Sequence, residues 1–391
     1  MTLITPNTDP AAAPAASKYA GHVTYLFAFD IAYEMTREPI TQLLGQSVSQ
    51  FQIDSNKRAP RQPFFYRPQV VKLPPVQRAC PRGTVQVERQ VKIFPLGALS
   101  ITVRVPFQVS SIGELVDYHD LKYTDGSSLH EEATRLAEEV RKELWPYLIR
   151  PVETLAAEEA YTVFCITSPL EAAGEPRLAA EDWLDAHRRQ VAALLTEERD
   201  MKHLSDQESA ESTSRYLSYY DNDMVVVDWD AALVVEDSRY IEEVIYLMEL
   251  ANLQLAELEW YDRLLDNVID KAYRDLSTAA AAHRKLGRWS VPTTLKQLRE
   301  LRIDLARLSD ELSNITKFFG DWHLARIYQA LASRFHLADW HKTTDEKLKT
   351  LDNLYQLLQA DRNNRYMLIL EVTIVLLFMV DVIMLFKGMV R

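Results

Sequence analysis

A run of 21 residues, Tyr366 to Phe386 (YMLILEVTIVLLFMVDVIMLF), constrains this chain more than any other stretch. Glu371, Thr373 and Asp381 are its polar residues. As a helix it covers roughly 31 Å, the hydrocarbon thickness of a bilayer. A carboxylate held charged at the bilayer centre costs about 2.5–3.5 kcal/mol. Neither acid sits there, because each lies five residues from an end of the run, within about 8 Å of the interface. The surrounding aliphatic and aromatic side chains outweigh that cost. Arg362, Arg365, Lys387 and Arg391 flank the run as anchors whose stems snorkel. The reading is one transmembrane helix over 366–386 with a short tail over 387–391; the alternative is the buried core helix of a soluble protein.

The first residues, MTLITPNTDPAAAPAASKYAGH, lack the charged and then apolar pattern of a signal peptide. Their Pro, Ala and Thr content reads as a disordered leader over 1–20. A span close to the C-terminus without a signal sequence predicts a tail-anchored topology. The bulk of the chain is then cytoplasmic, at a bacterial inner membrane, with the lipid bilayer as its first partner. Steps of three, four and three from Glu371 reach Ile374, Phe378 and Asp381, so both acids share one helix face. That face fits either helix assembly or an ion path.

Upstream, the segments HVTYLFAFDIAY, PFFYRPQVVKL, TVQVERQVKIF, ALSITVRVPF and AYTVFCIT alternate or run apolar, as strands do. SSLHEEATRLAEEVRKELWPYLI reads as an amphipathic helix with a serine cap, and AAEDWLDAHRRQVAALLTEE as another. A polar stretch around SDQESAESTS separates the latter from a hairpin, DMVVVDWDAALVVED. The sum is an α+β domain over 21–237, its strand order open.

From Ser238 the pattern is helical. Val244, Met248, Ala251, Leu255, Leu258, Asp262, Leu265, Ile269, Ala272 and Leu276 form a seam at steps of four and three, apolar except for Asp262. Leu298, Leu301, Leu305, Leu308, Leu312, Ile315, Phe319 and Trp322 form a second, and Leu348, Leu351, Tyr355 and Leu358 a third. KLGRWSVPTT breaks the first helix from the second, which predicts an antiparallel, coiled-coil-like bundle over 238–365. Leu247, Leu250, Leu264 and Val268 widen the first stripe beyond one seam. The seams either bury one another inside a monomer or pack one face against other copies of the chain; a helix apolar on more than one face buries more than one neighbour covers, which favours a homo-oligomer.

The net charge of -12 gives no overall field for nucleic acid, and specific nucleic-acid binding is not expected. Ten glycines, none spaced as GxGxxG or GxxxxGK[ST], exclude the common phosphate-cradling loops. Cys80 and Cys165 are too few for a zinc site or a disulfide framework, and neither has a histidine nearby in sequence. Asp221, Asp223, Asp228 and Asp230 in YYDNDMVVVDWD form a weak candidate cluster for Mg²⁺ or Ca²⁺, without EF-hand spacing. Alternation puts Asp228 and Asp230 on one face of a strand; the plainer reading is a hairpin with acids at its turn. His283, Arg284, Lys285 and Arg288 make a basic patch able to touch phosphates or headgroups, or to compensate a helix C-terminus. No metal and no cofactor is expected.

The stretches 318–335 (FFGDWHLARIYQALASRF) and 345–383 (DEKLKTLDNLYQLLQADRNNRYMLILEVTIVLLFMVDVI) resemble the C-terminal half of the "required for meiotic nuclear division" family. The shared features are a leucine-rich helix leading to one terminal span, with the Glu371-to-Asp381 spacing of ten. The family's arginine and tryptophan around that glutamate are missing, with LILEVTIV in their place, so this would be a divergent member. The resemblance implies a membrane-anchored, oligomer-forming protein with an α+β domain. It supplies no catalytic residues. The expectation is a non-enzymatic, tail-anchored scaffold that self-associates and holds a protein partner at the membrane surface. The alternative is a channel- or transporter-like protein using Glu371 and Asp381, and a third reading is a hydrolase built on the aspartate cluster.

Overall fold

The computed structural model describes residues 19–36, 38–51, 68–152, 154–155, 159–167, 179–281, 303 and 322–389. Its strands are β1 (Tyr19–Asp30), β2 (Ala32–Met35), β3 (Gln42–Leu43), β4 (Gln46–Ser47), β5 (Ser49–Gln50), β6 (Gln69–Cys80), β7 (Gly83–Ile93), β8 (Ala98–Val109), β9 (Leu148–Pro151), β10 (Glu159–Ile166), β11 (Tyr216–Leu217), β12 (Met224–Val227) and β13 (Ala231–Val235). The helices are α1 (Leu129–Leu144), α2 (Ala180–Leu195), α3 (Asp206–Ser212), α4 (Ser238–Ala281), α5 (Trp322–Arg334) and α6 (Leu337–Met389). By its contacts the chain divides into two units, residues 1–257 with 313–337, and residues 258–312 with 338–391. The division falls inside α4, about five turns beyond the boundary read at Ser238.

The first unit is a mixed-sheet domain. Nine strands run in the order β11-β12-β13-β10-β1-β8-β7-β6-β5. Within this sheet β10 and β13 pair in parallel, and the other pairs are antiparallel. Side chains alternate between the two faces of a strand, so register decides what each face buries. Val23, Tyr25, Phe27 and Phe29 of β1 lie opposite Val105, Val103, Ile101 and Leu99 of β8. All eight belong to one core cluster with Leu136 and Val140 of α1 and Trp183 and Val191 of α2. Full burial of each such side chain contributes about 1.5–3 kcal/mol. A capping box starts α1: Glu131 N–H donates to Ser128 Oγ at 3.2 Å, and Ser128 N–H donates to the Glu131 carboxylate at 3.2 Å. The polar stretch at 205–214 also turns helical, because Ser205 Oγ accepts from Glu208 N–H at 3.0 Å to start α3.

The β7–β8 connection depends on Gly97. Its φ is +86, and a Cβ there would lie 1.9 Å from the Ala32 carbonyl oxygen. Its own carbonyl accepts from the N–H groups of Ile31 and Ala32, both at 3.0 Å. The close approach holds the β1–β2 corner, so only glycine fits.

The opposite face is more polar. His22 and Thr24 of β1, Lys92 of β7, Ser100, Thr102 and Arg104 of β8, and Tyr161 and Cys165 of β10 share it by register. Helix α4 lies across these residues, as its bonds to Lys92, Ser100, Thr102 and Arg104 show. Twelve consecutive residues, Val244 to Leu255, are each at most 4% exposed. A helix buried on every side is a central helix rather than a surface one. Leu247 and Leu250, read as extra faces needing another copy of the chain, are covered inside this unit. Helix α5 belongs to the same unit, with Tyr328 Oη bonded to the Gln254 side chain. Beyond it, Phe335 packs edge-on to Tyr161 at 5.1 Å between ring centroids.

In the second unit, Leu265 and Ala272 of α4 cluster with Leu348, Leu351 and Tyr355 of α6. Asp262, the polar member of the first seam, bonds Lys347 Nζ at 2.7 Å, and Asp266 takes the same ammonium at 2.7 Å. Of the second seam, only Trp322 is among the described residues, and it opens α5 in the first unit. The rest of that seam, and with it the antiparallel return, lies outside the described residues.

Candidate functional site: an uncovered apolar helix and a polar layer

Among the described residues, one helical stretch is long and apolar enough to cross a membrane: Tyr366–Met384 in α6, with mean hydropathy 2.6 and none of it buried. Every apolar side chain in it is at least 40% exposed. Soluble proteins seldom leave more than a few hundred Å² of contiguous apolar surface in water. Thr373 is satisfied inside the helix, donating its hydroxyl to the Ile369 carbonyl at 2.7 Å. Glu371 and Asp381 have no hydrogen bond or ion pair with any described residue. Ten residues set them about 15 Å apart along the axis and about 80° apart around it. The basic patch of His283, Arg284, Lys285 and Arg288 lies outside the described residues.

The four aspartates of the weak metal cluster do not converge. Asp221 is exposed, and its carbonyl accepts from Ala180 N–H at 2.8 Å. Asp223, 4% exposed, closes a turn by accepting from the N–H groups of Tyr219 at 2.7 Å and Tyr220 at 3.0 Å. Strand β12 ends at Val227, so residues 228–230 form the turn of the hairpin rather than alternating along a strand. Asp228 is buried, accepting from Trp229 N–H at 2.8 Å and Arg334 Nε at 2.7 Å. Asp230 is exposed; burial of part of its carboxyl and the nearby charge of Asp228 raise its pKa above the usual carboxylate range. Among the described residues, no group of three or more His, Cys, Asp or Glu is placed to hold a metal ion.

What sequence reading missed is the polar layer under α4. Glu249, 1% exposed, pairs with Lys92 and accepts from the Ser100 hydroxyl at 2.5 Å and the Thr102 hydroxyl at 3.3 Å. The Lys92 ammonium also stands 4.6 Å from the Phe51 ring centroid and 5.5 Å from that of Tyr246. About two turns towards the helix start, Glu242 holds Arg104 through two bonds of 2.7 Å. Burial first, and the Arg104 charge second, push the His22 imidazole down to about 4. Lys92, Ser100, Thr102 and Arg104 alternate with apolar residues, a pattern shared by any strand with one polar face. The available signal was the single acid in the apolar run IYLMELANLQLA.

The fold also brings together a cysteine and a histidine far apart in sequence: Cys165 is the direct cross-strand partner of His22. The pair does not make a nucleophile. Burial pushes the Cys165 thiol up to about 12, while His22 is pushed the other way. The proton therefore stays on sulfur, and the thiolate that a nucleophile requires is not formed.

The fold and site define a class: a mixed-sheet domain with helices on both faces, in a chain whose described residues also include an uncovered helical stretch apolar enough to span a membrane. The chain belongs to the family described as "Uncharacterized protein MJ0711, N-terminal domain", which matches residues 20–241, more than half its length. It is similar to "Uncharacterized protein MJ0711" of Methanocaldococcus jannaschii, at 22% identity over 249 residues, 63% of this chain and 72% of that protein. No solved structure matches it. The matched residues end at the start of α4.

Proposed function

We propose that this protein is a non-enzymatic, membrane-anchored scaffold: α6 inserts through Tyr366–Met384, and the sheet domain is the part that meets partners. The observation that carries the reading is the uncovered span, predominantly apolar and buried by none of the described residues. Lipid is the solvent that such a surface fits. A scaffold rather than a hydrolase is supported by the commitments of the acids, since Asp223 closes a turn and Asp228 holds Arg334. Self-association rests on Glu371 and Asp381, whose carboxyls gain a hydrogen-bonding neighbour if two spans pack along that face. Kinship with the "required for meiotic nuclear division" family is part of this reading, through their ten-residue spacing.

The test is alkaline carbonate extraction of membranes from cells making the full chain, followed by crosslinking in the intact membrane. Retention in the pellet and a crosslinked self-pair near Glu371 are the expected results. Full release into the supernatant overturns the anchor, and a strict monomer overturns the assembly. The acids, without a partner among the described residues, also favour a second reading, an ion path. Cation flux in proteoliposomes that is abolished in Glu371→Leu/Asp381→Leu is its signature, and flux unchanged by that double substitution removes it.

A further inference from the structure

The polar face of the sheet continues into a cleft of about 190 Å³ on β6, β7 and β8. Its lining includes Lys72, Glu88, Arg89, Gln90, Thr102 and Arg104. Register orders these side chains. Lys72, Gln90 and Thr102 are neighbours in one row across the three strands, and Glu88 and Arg104 are neighbours in the next. A bulge between Leu73 and Val76 breaks the β6–β7 register beside them, the kind of irregularity that borders sites.

Two of the four charged side chains in this cleft are already matched. Arg104 is held by Glu242 at 2.7 Å, and Arg89 by Glu132 at 3.1 Å. Thr102 donates to Glu249 at 3.3 Å. Three groups remain without an ion pair or side-chain hydrogen bond among the described residues: the Lys72 ammonium, the Glu88 carboxylate and the Gln90 amide. Lys72 and Glu88 are diagonal neighbours on adjacent strands, with Cβ atoms about 7 Å apart, and Gln90 stands across from Lys72. One cation and one anion, open at that separation and bridged by an amide, complement a ligand bearing the same two charges reversed. The volume falls below the roughly 300–1,000 Å³ of cofactor pockets, so a nucleotide is too large.

We propose that this cleft binds a small zwitterion that carries an anionic group and a primary ammonium a few bonds apart. The anionic group meets Lys72 and the Gln90 amide donor, and the ammonium meets Glu88. This goes beyond membrane anchoring and does not depend on it. The same chemistry comes from a free amino-phosphate or from an ethanolamine lipid headgroup.

The experiment is calorimetric titration of the detergent-solubilised full chain with O-phosphoethanolamine, inorganic phosphate and ethylammonium in separate runs. O-phosphoethanolamine should bind about tenfold or more tighter than either single-charge probe, since each charged hydrogen bond carries about that factor. Lys72→Met and Glu88→Gln should each lose about tenfold. Both residues are exposed, so native-state hydrogen exchange of the β6 and β7 amides should not move, which separates lost binding from lost folding. Repeating the titration with a short-chain phosphatidylethanolamine identifies the source: competition with O-phosphoethanolamine marks a headgroup site, and its absence marks a free ligand. Three results overturn the proposal: no heat with any probe, phosphate alone binding as well as the zwitterion, or both variants binding like the parent. In the first case Lys72 and Glu88 simply close on one another in solution.

Discussion

Glu249→Leu is the most informative single change in the sheet domain. It keeps the side chain's bulk but removes the carboxylate that Lys92, Ser100 and Thr102 share. The Lys92 side chain is 4% exposed, so its ammonium has no water to replace the lost partner. Breaking one half of a buried pair costs about 3–5 kcal/mol, because the remaining charge is stranded. The two hydroxyls lose an acceptor as well, at about 1–3 kcal/mol for each group left wholly unsatisfied. These terms overlap, and about 4 kcal/mol is the working expectation, a large share of the roughly 5–15 kcal/mol of a typical domain. Pairing the change with Lys92→Met removes the stranded charge and should recover most of the loss, since apolar replacement of a buried pair is often neutral or better. Chains with more than one unit do not unfold in a single step, so a global midpoint is the wrong readout. Native-state hydrogen exchange of the β7 and β8 amides, followed by mass spectrometry, reports the sheet unit itself. Exchange in Glu249→Leu within about 1 kcal/mol of the parent would refute the reasoning. A double variant no more protected than the single one would do the same.

Three further changes test other parts of the fold. As pH falls, the unfolded chain protonates His22 near its ordinary 6.5 while the folded chain resists to about 4. Stability present above pH 6.5 is therefore lost between those values, by roughly 3 kcal/mol in all, and His22→Leu should flatten that segment of the stability-against-pH curve. Arg334→Met strands the buried Asp228 carboxylate and frees its hairpin turn; a loss of about 3 kcal/mol in hydrogen exchange of β12 and β13 is expected, and unchanged protection would contradict it. Leu376→Arg with Leu377→Arg adds two charges at the middle of the span at about 2.5–3.5 kcal/mol each. Carbonate extraction should then release the protein, and continued retention would mean that lipid is not what surrounds this helix.

Period-two runs located β1, β7, β8, β10 and the β12–β13 hairpin to within a few residues, because each strand buries a full apolar face against α1 and α2. Strand order was not accessible. The parallel pairing of β10 with β13 places Thr162 beside Ala231, and no local pattern encodes a partner 69 positions away. The seam in α4 was found, but its meaning was not. Val244, Met248 and Ala251 are buried in the sheet unit, whereas Leu265 and Ala272 are buried against α6, along one unbroken stripe. Periodicity reports that a face is covered and not by what, which is why a wide stripe suggested a second copy of the chain. The same limit hid the polar layer, since a strand whose polar side faces a helix has the alternation of one whose polar side faces water.

Glu249 and Glu371 bring that limit to a point. Each is one acid in an apolar helical run, YLMELANL in the first case and LILEVTIV in the second. Nothing within a few residues tells them apart. What separates them is the opposite wall: Lys92, 157 positions from Glu249, sits on the strand that α4 crosses. An acid with a cation supplied by its own fold fixes helix against sheet, and its removal is felt as lost stability. For Glu371 and Asp381 no described residue supplies that cation or any other hydrogen-bond partner. In hydrocarbon a carboxyl must protonate, reach the interface or meet another helix. The first two leave the acids replaceable by leucine without consequence for assembly, whereas the third makes them the contact between spans. Crosslinking of the Glu371→Leu/Asp381→Leu variant therefore separates the cases. An unchanged self-pair makes the acids bystanders, and its loss makes their face the interface.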